Sequence, residues 1–193
     1  MMIAWAPDLT ITPFDIEASD QMTGGEGVDT FLMGNDTDTA FVVSIIQDLA
    51  TTDALDLDIS TLEANSLGGA AITDLQDGNS GSVAAGNAVV TAITADNQAI
   101  TTGSIILLSG KTYADSAAAL TDIGTAGDRT FTFGAVLGDN EGIVLAYELT
   151  GGGTELAVVS QAGGVDTSST MDAIDPFLQL VGVSASTLSS FDI

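Results

Sequence analysis

The stretch Gly24-Gly25-Glu26-Gly27-Val28-Asp29-Thr30-Phe31-Leu32 decides how this chain is read. It fits the pattern G-G-x-G-x-D-x-U-x, in which U is a large apolar residue. The first six residues are expected to make a tight turn and the last three a short strand. The glycines belong to the turn, where the backbone needs angles that a Cβ would block. Phe31 is expected to point into a core. The flanks keep the same register. Residues 33–41 retain Gly34 at the second position and Asp38 at the sixth, and residues 15–23 retain Asp20 at the sixth and Met22 at the apolar eighth. Asp20, Asp29 and Asp38 thus recur every nine residues. The outer copies are degenerate: Met33 and Asp36 stand where glycines belong, and Ala40 is a weak apolar residue. An ordinary Gly/Asp-rich surface loop is the competing reading. Six matched positions with a carboxylate in register on each side argue against it.

This nonapeptide resembles the calcium-binding repeat of RTX proteins, which build a parallel β-roll. The resemblance implies that Ca²⁺ is held between successive turns by Asp carboxylates and turn carbonyls, the hard oxygen ligands the ion prefers. The positions concerned are Asp20, Asp29 and Asp38, with the turn backbone at Gly24, Gly25 and Gly27. Ile46-Gln47-Asp48-Leu49 and Asp53-Ala54-Leu55-Asp56-Leu57 resemble the I-x-D-F and D-x-L-D-L elements that close RTX rolls, as in the C-terminal domains of serralysin-type proteases. By that resemblance Asp48, Asp53 and Asp56 serve a further ion. Leu49 replaces the usual Phe. The same residues also read as a plain amphipathic strand, since Leu55, Leu57 and Ile59 alternate with Asp56 and Asp58. The likeness covers residues 15–60.

Charge bears on the same question. The chain has 193 residues, 27 carboxylates and only two basic side chains, Lys111 and Arg129, for a formal charge of −25. Yet 45% of its residues are hydrophobic, enough to build a core, so disorder driven by charge is a poor description. Two cations pair only a few carboxylates. The rest are expected to be solvated, protonated or bound to metal, and their repulsion is densest from Asp20 to Glu63. The charge argues against nucleic acid, which needs Lys and Arg to neutralise phosphates, and against anionic membrane surfaces. There is no cysteine and no histidine. Disulfides and thiolate sites are excluded, and the commonest general base near neutral pH is missing.

The opening residues, Met1 to Asp8, carry no basic n-region and no long apolar h-region. No apolar run approaches the ~18 residues of a membrane span. Beside the nonapeptide, the tail from Leu180 to Ile193, small and free of basic residues, looks like the uncleaved signal of type I secretion substrates. The resemblance therefore implies export through that machinery to the exterior or cell surface.

The remaining elements are read from periodicity and punctuation. Residues 1–14 form an apolar, Pro-interrupted extended lead-in; 15–60 the roll-like segment; 61–193 a β-rich domain. Strands are expected over 40–46, 88–94, 103–108, 129–137 and 143–150, with a final one over 177–183. Gly68 to Gly86 reads as a connector. Ala114 to Ile123 is the helix candidate, capped by Thr112 or Asp115 and stopped at Gly124. Gly151-Gly152-Gly153 reads as a hairpin turn. The fold class is all-β: a short calcium-binding parallel β-roll joined to a β-rich, sandwich-like region with minor helix.

Ser109-Gly110-Lys111-Thr112 ends like a phosphate-binding loop, but Ile105 stands where that loop needs glycine. Ser109 with Lys111 is too little for a hydrolytic site, and Lys111 reads as an exposed lysine near a strand end. The leading expectation is a non-enzymatic, secreted calcium-binding structural or surface protein that associates with copies of itself, with the apolar stretch around Met2, Ile3 and Trp5 as the contact. The alternatives are a hemophore-like binding module, which without histidine needs a tyrosine ligand, and a small secreted hydrolase.

Overall fold

The computed structural model describes residues 2–3, 10–11, 20–33, 43–57, 62, 66–67, 70–71, 74–76, 89–124, 126–161, 166–168 and 171–190. Asp38, Gly34, Trp5, residues 40–42, most of the 68–86 connector and the last three residues of the tail lie outside them. Among the described residues the protein is all-β with one short helix.

The first six strands are β1 (Met2–Ile3), β2 (Thr10–Ile11), β3 (Gln21–Thr23), β4 (Thr30–Met33), β5 (Ser44–Ile46) and β6 (Ala54–Leu57). Successive strands go to alternate sheets. β1, β3 and β5 pair in parallel in one, and β2, β4 and β6 pair in parallel in the other. Met2 lies opposite Met22 and Thr10 opposite Thr30, a step of 20 residues. Met22 lies opposite Ile46 and Phe31 opposite Leu55, a step of 24. Parallel strands cannot be joined by tight hairpins. The glycine turn instead carries the chain across from β3 to β4. Phe31 faces the interior as expected and is fully buried, between Ile11 and Leu55 in register on either side.

The rest of the chain adds β7 (Ser66–Leu67), β8 (Ala70–Ala71), β9 (Asp74–Leu75), β10 (Val90–Ile93), β11 (Gln98–Ile100), β12 (Ile105–Tyr113), helix α1 (Ser116–Ile123), β13 (Phe131–Leu137), β14 (Glu141–Leu149), β15 (Thr154–Ser160), β16 (Asp166–Ser168), β17 (Ala173–Leu180) and a 3₁₀ turn, Ala185–Ser190. Sheet order is β1-β3-β5-β17-β15-β14-β12-β10, with β9 beside β14, so one nine-stranded sheet joins the N-terminal stack to the C-terminal half. Both strands read as a lead-in, β1 and β2, are part of the stack. The joint is β17 on β5, parallel, with Leu178 opposite Ser44 and Leu180 opposite Ile46.

This sheet is buried on both faces, which is why β14 is buried from Gly142 to Tyr147 rather than alternating. One face carries Ile105, Leu107, Val144, Leu156 and Leu178, continuous with Met22, Phe31 and Leu55 of the stack. The other carries Ile106, Leu108, Leu145 and Val159 against Phe131 and Phe133 of the small sheet β11-β13-β16 and Ile123 of α1. That second layer is the sandwich-like part.

Local signals hold well here. Asp115 caps α1, its carboxylate accepting from the Ala118 amide at 2.8 Å, and Gly124 ends the helix. The Gly151–Gly153 turn joins β14 to β15, with Gly152 and Gly153 both at φ 90°. The 103–108 strand runs on to Tyr113 by way of a bulge: Leu108 faces Tyr147 and Thr112 faces the next residue, Glu148, so residues 109–111 are extra. Gly110 sits in that bulge at φ 77°.

Candidate metal centre

The 24-residue step sets the turn Gly24–Asp29 against the turn Asp48–Asp53. Backbone bonds fasten the pair: Ile45 N–H to the Asp20 carbonyl at 2.7 Å, Gln47 to Met22 at 2.9 Å and Ala54 to Asp29 at 2.8 Å. Two carboxylates complete it. Asp48 accepts from the Gly24 amide at 2.9 Å through Oδ1 and from the Gly25 amide at 3.0 Å through Oδ2. Asp53 accepts from the Asp29 amide at 3.1 Å through Oδ1 and from the Ala50 amide at 2.8 Å through Oδ2.

Asp29 is fully buried and Asp53 nearly so. Gly24 has no room for a side chain: an ideal Cβ would lie 2.4 Å from Asp29 Oδ2 and 2.9 Å from its Cγ. The Asp29 carboxylate thus fills the space that a Cβ at Gly24 would need. Gly25 and Gly27 take positive φ, 91° and 135°, as the motif requires.

Of the residues the sequence singles out, Gly24, Gly25 and Asp48 come together, and so do Asp29 and Asp53. Asp20 stands before β3, half-buried, on the other side of the turn from Asp29. Asp56 is exposed on β6 opposite Leu32. Asp38 lies outside the described residues. The nine-residue spacing is not the spacing of the ladder, whose steps of 20 and 24 come from strand pairing.

In chemical kind the donors suit Ca²⁺: carboxylates and turn carbonyls, with no nitrogen or sulfur ligand. A carboxylate oxygen that accepts one amide proton keeps a further lone pair for a cation. Asp29 and Asp53, with the carbonyls of the turns, are the residues that would hold it. Among the described residues no three carboxylates converge on one point. An ion here would draw most of its six to eight oxygens, the usual number, from the backbone or from water.

Both cations of the chain lie near a second cluster, away from the turns. Lys111 Nζ donates to Asp122 Oδ1 at 2.6 Å and to Asp128 Oδ2 at 3.2 Å, and the Tyr113 hydroxyl donates to Asp122 Oδ2 at 2.6 Å. The Asp128 amide adds a bond to Asp122 Oδ1 at 3.0 Å. Arg129 donates from Nε to the Ser109 carbonyl at 3.3 Å. Burial pushes the Asp122 carboxyl up, but the bonds from Lys111, Tyr113 and the Asp128 amide outweigh it and hold the group below its ordinary value. The hydrogen bond to Asp122 raises Lys111 above its own ordinary value. A lysine held protonated has no lone pair to activate Ser109. It is also only one-third exposed and bonded twice, so it is a structural cation rather than a free lysine at a strand end.

Both tyrosines are buried. Tyr147 donates to Glu155 Oε2 at 2.5 Å and packs edge-to-face on Tyr113, ring centroids 5.8 Å apart. Neither hydroxyl is presented to a haem. A surface cleft of about 420 Å³ lies between the 109–112 bulge and the 3₁₀ turn, with Glu148 among its lining. The Glu148 carboxylate accepts from the Ser184 hydroxyl at 2.8 Å.

Asp175, half-buried on β17 opposite Val158, is pushed up to about 6 by burial. A carboxyl raised in the fold contributes stability below its unfolded pKa of about 3.9, and this is lost as pH rises through about 6. Asp175→Asn is therefore expected to melt roughly 2–4 °C above the parent at neutral pH, discounted for the solvent the group retains. The two should converge near pH 4. Melting curves at both pH values check this, and an equal gap at both would assign the effect to something other than the charge.

No helix among the described residues is long and apolar enough to cross a membrane. No family model, curated protein or solved structure matches the chain.

Proposed function

We propose that this chain is a calcium-binding structural protein that works outside the cell, as a β-roll fused to a sandwich, and associates with copies of itself into a surface layer, fibre or matrix. The observation that carries the reading is the stacking of two Asp-bearing turns. The buried Asp29 carboxylate occupies the space over Gly24, and Asp53 sits beside the Asp29 backbone. Alternate pairing of short parallel strands supports the roll. The charge of −25 supports a need for divalent cations, both within the acidic segment and between copies that otherwise repel. Export by type I secretion belongs to the proposal through the RTX resemblance alone.

The test is a pair of melting curves. Extracellular calcium modules bind at about 10⁻⁴–10⁻³ M, so calcium near 10 mM should raise Tm by roughly 4–8 °C over chelator. Sodium chloride at matched ionic strength should not reproduce the rise. Asp29→Ala should blunt it. Superimposable curves for the parent chain in chelator and in calcium would end this reading.

A further inference from the structure

We propose that Asp48 is not a metal ligand but an internal anion clamp, which holds the two turns stacked when no cation is bound. The inference rests on the calcium reading and divides its residues by where their bonds go: Asp53 takes one amide from each turn, whereas both oxygens of Asp48 take amides of the neighbouring turn, which Asp48 holds as an ion would otherwise do. It requires calcium to act on a segment already stacked.

The polarity of the contact carries the argument. A cation between turns is met by oxygen lone pairs. At Gly24 and Gly25 the turn presents two consecutive N–H groups, and both donate to one carboxylate. Such a pair is a site for an anion, and the chain supplies its own. Each oxygen of Asp48 takes one amide, at 2.9 and 3.0 Å. Both are well-formed amide-to-carboxyl bonds of ordinary length. The other bonds between the two turns lie toward their ends, from Gln47 to Met22, Ala54 to Asp29 and the Asp29 amide to Asp53, whereas Asp48 holds the half that carries the motif's first glycines.

Position 48 also shows why the closing element differs from the repeat. At the 24-residue step Asp53 takes the place of Asp29 and Leu55 that of Phe31, whereas Asp48 takes the place of Gly24. One turn contributes bare amides and the next contributes the carboxylate that fills them.

The test is Asp48→Asn, melted in chelator and in calcium. Asparagine offers one carbonyl oxygen, so its NH₂ would face one of the two amide donors and that bond would become a repulsion. The clamp predicts a fall in Tm of roughly 4–8 °C, of equal size in chelator and in calcium. A fall confined to calcium would overturn it and make Asp48 a ligand, and no fall in either would overturn it too. Should the variant fail to fold, hydrogen exchange on the parent chain in chelator decides. The Gly24 and Gly25 amides should be protected, and exchange at the rate of a free loop would overturn the clamp. If the parent shows no response to calcium, the calcium reading fails while the chelator arm still judges the clamp.

Discussion

Replacing Asp122 by alanine is expected to cost about 3 kcal/mol and to lower the melting temperature by roughly 6–12 °C. Its carboxylate gathers three donors that have few other outlets: the Lys111 ammonium, the Tyr113 hydroxyl and the Asp128 amide. Tyr113 is 4% exposed, so its hydroxyl would be left without an acceptor where water reaches poorly. The bonds also fasten the end of α1 and the loop after it to β12. That loop passes so close to the helix end that an ideal Cβ on Gly127 would lie 1.7 Å from the Asp122 carbonyl oxygen. Asp128→Ala is the control. Its side chain is 80% exposed and its ion pair with Lys111 is a surface pair, so the loss should stay under about 1 kcal/mol. Calorimetry of the two variants checks the contrast; equal losses would mean that Asp122 is held by water as much as by its partners.

That cluster shows where sequence reasoning stops. A count of 27 carboxylates against two cations suggests that the acids need solvent, protons or metal. The fold uses a further route. Asp48, Asp53, Asp115 and Glu141 accept from backbone amides, and Glu148 and Glu155 accept from hydroxyls. Backbone donors exist at every non-proline position, and composition does not reveal which of them a turn will turn outward. Local signals were legible because they depend on near neighbours. The cap at Asp115, the stop at Gly124, the Gly151–Gly153 hairpin and the inward Phe31 are of this kind. The helix begins two residues later than its apolar pattern suggests, since Asp115 rather than Thr112 closes the first turn. The ladder step was not legible, since pairing between successive turns is fixed by tertiary contact. Its trace was present: Met22, Asp29, Phe31 and Met33 have counterparts in Ile46, Asp53, Leu55 and Leu57, each 24 residues on. The nine-residue register drew attention away from it. For the candidate site, the residue types were legible, but the division of labour between Asp48 and Asp29 needed the direction of the amides.

Phe31→Ala is expected to cost about 3–4 kcal/mol and to lower the melting temperature by roughly 6–16 °C. Phe31 is fully buried on the middle strand of its three-stranded sheet, and truncation leaves a cavity lined by short strands that cannot easily close on it. The loss should not be confined to the N-terminal stack. One apolar cluster runs from Met22, Phe31 and Leu55 through Leu49 to Phe177, Leu178 and Leu180. The sheet crosses the same boundary where β5 pairs with β17, and the Val181 amide donates to the Ile46 carbonyl at 2.9 Å. A stack of strands only two to four residues long buries too little by itself to be stable and takes its stability from this joint. Phe31→Ala, in the apolar cluster on one face of the sheet, and Asp122→Ala, beside Ile123 and Tyr113 of the other, should therefore move one and the same calorimetric transition. Two transitions, one shifted only by Phe31→Ala and the other only by Asp122→Ala, would show that the stack and the sandwich melt as separate units. In that case calcium should stabilise the first alone. A single transition would instead transmit whatever the proposed ion contributes at Asp29 to the whole sheet.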